Sequence, residues 1–301
     1  MATGSGKATP VDISATRRGT LIGATAVLMW ATLAALTTLS GSIPPFQLLA
    51  MAFAPAFAVG IGLWRREGGD IRRHFRLPPA VWVLGLYGLF GYHFAYFMAL
   101  RHAPPVDAGL IAYLWPLLIV LMAALLPGER LSGRQVVGAL LGFAGAALLV
   151  TKGQGLSFDR QYALGSGFAL TCALIWSSYS VLSRRAGAVP TSAVGAFCGA
   201  TAALALACHL IFEETVWPVG WQWAAVLLLG LGPVGAAFYT WDYGVKRGNI
   251  QSLGVFAYAA PLLSTLLLIT LGLAEASWTL AAACVLIAGG AVVASWRTDR
   301  R

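Results

Sequence analysis

The chain has 301 residues, of which 58% are hydrophobic and only 10% are charged, with a formal net charge of +9; its mean hydropathy is +0.76. Soluble domains carry about 25% charged residues. The composition therefore excludes a soluble globular protein and indicates an integral membrane protein.

Apolar segments close to the ~20 residues that cross a bilayer follow one another along the chain. The first five are 19–40, 46–64, 80–100, 107–126 and 131–151, and the second five are 163–183, 192–212, 221–245, 249–273 and 278–295. The connections are short, and the longest is the Arg-rich segment 65–79. We predict an all-α membrane fold of ten transmembrane helices, with the functional site inside the bundle.

The Lys and Arg residues are concentrated in connections on one side of the predicted membrane. If the N-terminus is cytoplasmic, 17 of the 20 Lys and Arg residues lie on the cytoplasmic side, and only Arg101, Lys152 and Arg160 lie on the other. Such a bias is typical of membrane topology signals, so the basicity does not indicate a nucleic-acid partner. It predicts that both termini are cytoplasmic.

The two halves of the sequence resemble each other. A shift of 145 residues aligns 99–118 with 244–263 without a gap, and a shift of 146 aligns Trp30 with Trp176 and Glu129 with Glu275. Each copy contains five predicted spans, an odd number, so the second copy should enter the membrane from the opposite side. Inverted repeats of this kind are a feature of secondary transporters.

Each repeat carries a proline inside its fourth predicted span, at Pro116 and Pro261. A proline has no N–H to donate to the carbonyl four residues earlier, so the helix bends or breaks there. In hydrocarbon a freed carbonyl is stabilised only by protein, water or solute. We interpret the two prolines as hinges beside a polar cavity; static kinks are the alternative.

The duplicated halves, the two tryptophans, the two glutamates and the segments LRHAPPVDAGLIAYLWPLL and VKRGNIQSLGVFAYAAPLL resemble the ten-helix EamA type of the drug/metabolite transporter superfamily. Within it, the aromatic-rich third and fourth helices are most similar to YddG-type exporters of aromatic amino acids. The resemblance implies a cytoplasmic tail at 1–18, a first five-helix repeat at 19–151 and a second, inverted repeat at 162–296.

Aromatic residues within the spans are the candidates for solute binding. Helical spacing places Tyr92, His93 and Tyr96 on one face. Rings offer stiff apolar area with a polar tip, and their faces attract ammonium groups. The predicted binding residues are Tyr92, His93, Tyr96, Tyr113, Trp115, Trp176 and Tyr258, with Trp30, Tyr179, Tyr239 and Asp242 as secondary candidates.

Two of these residues allow a second interpretation. His93 is an ionisable group within a span and thus a functional candidate, although a lone histidine is often a hydrogen-bonded packing residue. Asp242 precedes Lys246 by one helical turn, and we expect a salt bridge there rather than a proton site.

Absent motifs narrow the choice of function. No Asp or Glu lies at the middle of any predicted span, which favours facilitated transport of a neutral or zwitterionic solute over carboxylate-based proton antiport. A proton-coupled multidrug or metabolite exporter is the alternative. An intramembrane enzyme is disfavoured, because neither HExxH nor GxSxG nor a paired-acid motif occurs.

Cys172, Cys198, Cys208 and Cys284 lie within predicted spans at no metal-site spacing, so they predict packing positions and no metal site or cofactor. We expect an exporter of amino acids, aromatic ones above all, and of related small metabolites in the inner (cytoplasmic) membrane. Its expected partners are a small-molecule solute and membrane lipid, with no nucleic acid, in a monomer or a weak homodimer.

Overall fold

Ten membrane-length helices form the chain in the computed structural model, which describes residues 13–68, 70–154 and 160–295. All ten are long and apolar enough to cross a bilayer. The first five are α1 (Ser14–Leu39), α2 (Pro45–Glu67), α3 (Pro79–His102), α4 (Pro105–Ala123) and α5 (Gly133–Thr151), and the second five are α6 (Arg160–Arg185), α7 (Thr191–Phe212), α8 (Gln222–Arg247), α9 (Ile250–Thr270) and α10 (Trp278–Ser295). The predicted all-α fold is confirmed.

The predicted cytoplasmic tail at 1–18 overlaps the start of the first helix. Helical structure begins at Ile13, within the predicted tail, and residues 1–12 lie outside the described residues. A short 3₁₀ helix, Ile71–Phe75, occupies the Arg-rich connection between α2 and α3. Its His74 stacks on Trp64 at 4.8 Å. Trp64 is fully buried, and its indole N–H donates to the carbonyl of Ser192 at 2.9 Å.

Local sequence explains where several helices begin and end. Pro45, Pro79 and Pro105 occupy first-turn positions, where a missing N–H removes no helical hydrogen bond. Asn249 caps α9, since its side chain accepts a hydrogen bond from the N–H of Ser252 at 2.8 Å. Gly68 ends α2 at φ 74°, a backbone conformation that glycine adopts without strain.

Small residues let the helices pack closely. The backbones of α1 and α8 meet at Gly19–Gly248 and again at Gly23–Gly244, and Gly165 of α6 lies against Ala103 at the end of α3 in the equivalent way. Glycines also line the contacts of α5 with α10 and of α2 with α7. Close backbone approach of this kind drives helix association in membranes, where lipid is as apolar as the side chains.

The described helix ends fall into two sets. We call the end of the bundle that carries Arg17, Arg65, Arg130, Arg184 and Lys246 the Arg-rich end, and the end that carries Leu39, His102, Thr151, Phe212 and Thr270 the opposite end.

Candidate functional site

The helices α4 and α9 are both interrupted near their prolines. The first consists of Pro105–Ala112 and Trp115–Ala123, separated by Tyr113 and Leu114. The second consists of Ile250–Ala257 and Ala259–Thr270, separated by Tyr258. The predicted breaks are therefore present, each one turn or less before its proline, as the missing N–H requires.

Two π-helical turns lie at equivalent positions of the repeats. They span Tyr87–Gly91 in α3 and Gly232–Ala236 in α8, 145 residues apart. A π turn inserts one extra residue and rotates everything after it. These turns therefore set the direction of the aromatic residues that follow in each helix. The sequence analysis missed both; the glycine pairs in YGLFG and GPVGA are the only signal for them.

Four tryptophans meet at the centre of the bundle. Their ring centroids are 5.0 to 6.4 Å apart in all six pairs, distances typical of favourable aromatic contacts. We call this group the Trp cluster; its members are Trp30, Trp115, Trp176 and Trp241. Trp30 and Trp176, which the sequence repeat aligns, contact each other at 5.7 Å.

The indole N–H groups of the Trp cluster differ in their partners. Trp30 donates to the carbonyl of Pro233 at 3.1 Å and Trp241 donates to the Ser180 hydroxyl at 3.0 Å. Among the described residues, only two buried side-chain polar atoms lack a hydrogen-bond partner, the hydroxyls of Ser192 and Thr201. The N–H groups of Trp115 and Trp176 have no hydrogen-bond acceptor within that part of the chain.

His93 lies beside this cluster, against a pair of stacked phenylalanines. Its ring is edge-on to Phe53 at 5.4 Å and to Phe238 at 6.1 Å. Nδ1 lies 2.7 Å from the carbonyl oxygen of Leu89, which can only accept, so Nδ1 carries a proton. In the neutral ring Nε2 then presents a lone pair.

Tyrosines form a second wall. The rings of Tyr92 and Tyr96 are parallel within 5° at 6.3 Å, and Tyr92 lies 5.4 Å from Trp176. Tyr113 lies close to Tyr96. All three side chains are partly exposed. Six of the seven predicted binding residues therefore converge on one region: Tyr92, His93, Tyr96, Tyr113, Trp115 and Trp176.

The seventh predicted residue does not face this region. Tyr258 is fully buried, and its hydroxyl accepts a hydrogen bond from the N–H of Leu117 at 3.1 Å. Its ring packs on Gly142 and Phe143 of α5. Tyr258 and Tyr113, which the sequence repeat aligns, therefore lie in different surroundings.

The secondary candidates also lie in different parts of the bundle. Trp30 belongs to the Trp cluster, and Tyr179 is 5.3 Å from Trp176. Tyr239 lies between α2 and α7, where its hydroxyl donates to the carbonyl of Ala56 at 3.1 Å, so it does not line the site. Asp242 pairs with Lys246 at 2.8 Å and accepts from the Thr191 hydroxyl; the predicted salt bridge is confirmed.

The sequence analysis missed three residues of the region: Phe53, Phe238 and Trp241. Phe53 lies in an apolar span with no local pattern that marks it. Phe238 and Trp241 follow the π turn of α8, and only the equivalence of Phe238 with His93 pointed toward that face.

The two ends of the bundle are packed differently. At the Arg-rich end, Arg184 forms an ion pair with Glu129 at 2.6 Å and donates to the carbonyls of Val245 and Gly248. At the opposite end the repeat-related Glu275 is exposed. A groove of about 480 Å³ also separates α1, α8 and α9; its lining includes Leu36, Leu39, Leu228, Leu267 and Leu271.

The half-helices that follow the breaks show the same contrast. In Trp115–Ala123 the side chains of Ile119, Val120 and Ala123 are fully buried. In the equivalent Ala259–Thr270 the buried residues are Ala260 and Pro261, next to the break itself. The half-helix Trp115–Ala123 is therefore packed more tightly than its equivalent in α9.

Ten apolar helices with broken, proline-containing spans around a central aromatic region define a multi-pass membrane protein of the transporter class. The sequence profile described as the EamA-like transporter family matches residues 17–151 and again residues 163–296. The chain belongs to this family.

Similar proteins agree with this assignment. An aromatic amino acid exporter YddG of Ancylobacter novellus is 56% identical over 92% of this chain and 96% of its own length. The aromatic amino acid exporter YddG of Escherichia coli is 23% identical over 95% of this chain and 99% of its own length. One solved crystal structure superposes with a TM-score of 0.88 at 55% identity, covering 92% of this chain and 97% of that chain.

Proposed function

We propose that the protein exports aromatic amino acids and related small metabolites across the bacterial inner membrane. One observation carries the proposal: indole, imidazole and phenol rings from several helices contact one another at the centre of a ten-helix bundle. The names of the relatives from Ancylobacter novellus and Escherichia coli support the same solute class. Both termini are cytoplasmic in this proposal, which rests on the charge bias of the connections.

A zwitterionic aromatic solute matches the groups of the site. Its carboxylate accepts hydrogen bonds from the indole N–H groups of Trp115 and Trp176, which have no acceptor within the described chain. Its ammonium donates to Nε2 of His93, which the Leu89 carbonyl fixes as the acceptor. Its ring lies along the parallel pair of Tyr92 and Tyr96.

Facilitated transport fits the distribution of charge. Asp242 is buried within α8, but it is neutralised by Lys246 and also bonded to Thr191. A proton antiporter needs a buried carboxylate that exchanges its proton for the solute. The ion pair leaves Asp242 poorly suited to that role, so the solute gradient alone drives transport.

The repeats supply the basis for alternating access. We propose that the two five-helix halves are inverted with respect to each other and that Pro116 and Pro261 act as hinges. The contact of Trp30 with Trp176 supports this arrangement, because equivalent residues of inverted halves meet near the axis that relates them. A transporter of this architecture binds solute at that axis and opens its ends in turn.

Equilibrium binding tests the solute class directly. With purified full-length protein and labelled phenylalanine, unlabelled tryptophan and tyrosine should displace the label at concentrations at least about tenfold lower than alanine or isoleucine do, since the site recognises a ring. Equal displacement by alanine, or no binding of phenylalanine, would contradict the proposal.

A hinge variant tests the role of the broken helices. In Pro116→Ala the restored N–H can donate to the carbonyl of Ala112, which favours a continuous helix. We expect the rate of phenylalanine exchange to fall several-fold while the affinity for phenylalanine stays within about twofold. Pro104→Ala, in the connection before α4, is the control. An unchanged exchange rate in Pro116→Ala would exclude a hinge at this position.

A further inference from the structure

The buried tyrosine at the break of α9 has a contact that its counterpart in α4 lacks. The break at Tyr113 and Leu114 leaves the N–H of Leu117 without a helical acceptor, and the Tyr258 hydroxyl accepts it at 3.1 Å. The equivalent positions are Tyr113 and Leu262, and no such bond joins them in the described chain. Tyr113 is partly exposed instead.

The surroundings of the two tyrosines explain this difference. A Cβ on Gly142 would lie 2.5 Å from Cδ2 of Tyr258, so the Tyr258 ring occupies space that only a glycine leaves free. The repeat shift of 146 residues that aligns Glu129 with Glu275 places Ala288 where Gly142 stands. A Cβ at this position would fill the space that the Tyr258 ring occupies.

The half-helix Trp115–Ala123 is held by three contacts toward the Arg-rich end. Tyr258 holds it at its start. Gly254 of α9 packs against the carbonyl of Pro116 and the side chains of Ile119 and Val120. Beyond its end, Glu129 is bound to Arg184. Of these three contacts, the one made by Tyr258 satisfies the N–H that the break leaves without a helical acceptor.

We propose that Tyr258 is a one-sided latch that stabilises the state closed at the Arg-rich end, while Tyr113 contacts solute. The latch rests on the alternating-access part of the proposed function. When the Arg-rich end opens, the half-helix Trp115–Ala123 moves away from α9 and the hydrogen bond from Leu117 to Tyr258 breaks. The two equivalent tyrosines thus have different roles, which biases the resting protein toward one state.

The reaction rate of an introduced cysteine tests the latch in the absence of solute. Val120→Cys places a thiol of similar size at a fully buried position against Gly254, so it reacts with a charged, water-soluble thiol reagent only when this end opens. Cys208 and Cys284, which are partly exposed, are replaced by serine. The fully buried native Cys198 serves as an internal control for general loosening.

Tyr258→Phe removes the hydroxyl and keeps the ring. Losing one hydrogen bond shifts a two-state equilibrium by about fivefold, so we expect Val120→Cys to react about fivefold faster. Gly142→Ala, which displaces the ring, should act in the same direction. Tyr113→Phe should leave the reaction rate unchanged, as should Gly289→Ala, which adds a methyl group to open space.

Unchanged rates in both Tyr258→Phe and Gly142→Ala would overturn the latch. An equal rise in Tyr113→Phe, or a parallel rise at Cys198, would overturn it as well. The thiol reaction rate does not depend on the solute class. If the Tyr258 and Gly142 variants react faster but the protein binds no phenylalanine, the latch is kept and the proposed function is rejected. If the protein binds phenylalanine but the thiol reaction rate is unchanged in the Tyr258 and Gly142 variants, the latch is rejected and the proposed function is kept.

Discussion

Replacing Tyr92 or Tyr96 by alanine should lower phenylalanine exchange by about 10- to 30-fold in liposomes. Each substitution removes one ring of the parallel pair, and with it the apolar area and the aromatic contact that the solute ring would gain. A contribution of about 1.5 to 2 kcal/mol is ordinary for such a contact and corresponds to that loss of affinity. The measurement is initial counterflow of labelled phenylalanine at subsaturating concentration.

The tyrosine variants need controls for folding and for chemistry. Tyr92→Phe keeps the ring and should retain most of the exchange. Tyr243→Ala removes a partly exposed tyrosine whose ring packs against Arg247 near the Arg-rich end, and this variant should exchange phenylalanine at the wild-type rate. Wild-type rates in both Tyr92→Ala and Tyr96→Ala would refute the assignment of this wall to the solute.

The second large effect is expected at His93. Replacing it by phenylalanine, the residue at the repeat-related position 238, preserves a flat ring and removes the Nε2 acceptor. A hydrogen bond to a charged group contributes about 1.5 to 3 kcal/mol. We therefore expect the affinity for phenylalanine to fall between about 10- and 150-fold, measured by equilibrium binding to the purified protein.

A solute without an amine separates this role from simple packing. Phenylpropionate keeps the ring and the carboxylate but has no ammonium to donate to His93. Its affinity should be the same, within about threefold, for wild type and His93→Phe, whereas phenylalanine loses affinity in the variant. A parallel loss for both solutes would mean that His93 shapes the site and does not bind the ammonium.

Much of the architecture could be predicted because membrane folding imposes strict rules on sequence. Span length, the positions of Pro116 and Pro261 and the pairing of Asp242 with Lys246 follow from hydrocarbon thickness, the missing proline N–H and helical spacing. Tyr92, His93 and Tyr96 could be grouped for the same reason, since they lie within little more than one helical turn.

Other features depend on contacts between distant segments. The π turn at Gly232–Ala236 rotates Phe238 and Trp241 about the helix axis. No periodicity in the local sequence predicts this turn. Tyr258 shares its sequence context with Tyr113, yet the residue opposite it on α5 is Gly142. A repeat in sequence predicts equivalent backbones, and the residues that surround each backbone then decide what each copy does.

The most direct measurement is counterflow in liposomes that contain the purified protein, with labelled phenylalanine, tryptophan, alanine and a quaternary ammonium drug, each with and without a pH gradient. The account predicts fast exchange of phenylalanine and tryptophan without a gradient, slow exchange of alanine and no uptake of the drug. Drug uptake that requires the pH gradient, with no exchange of aromatic amino acids, would contradict it and identify a proton-coupled exporter.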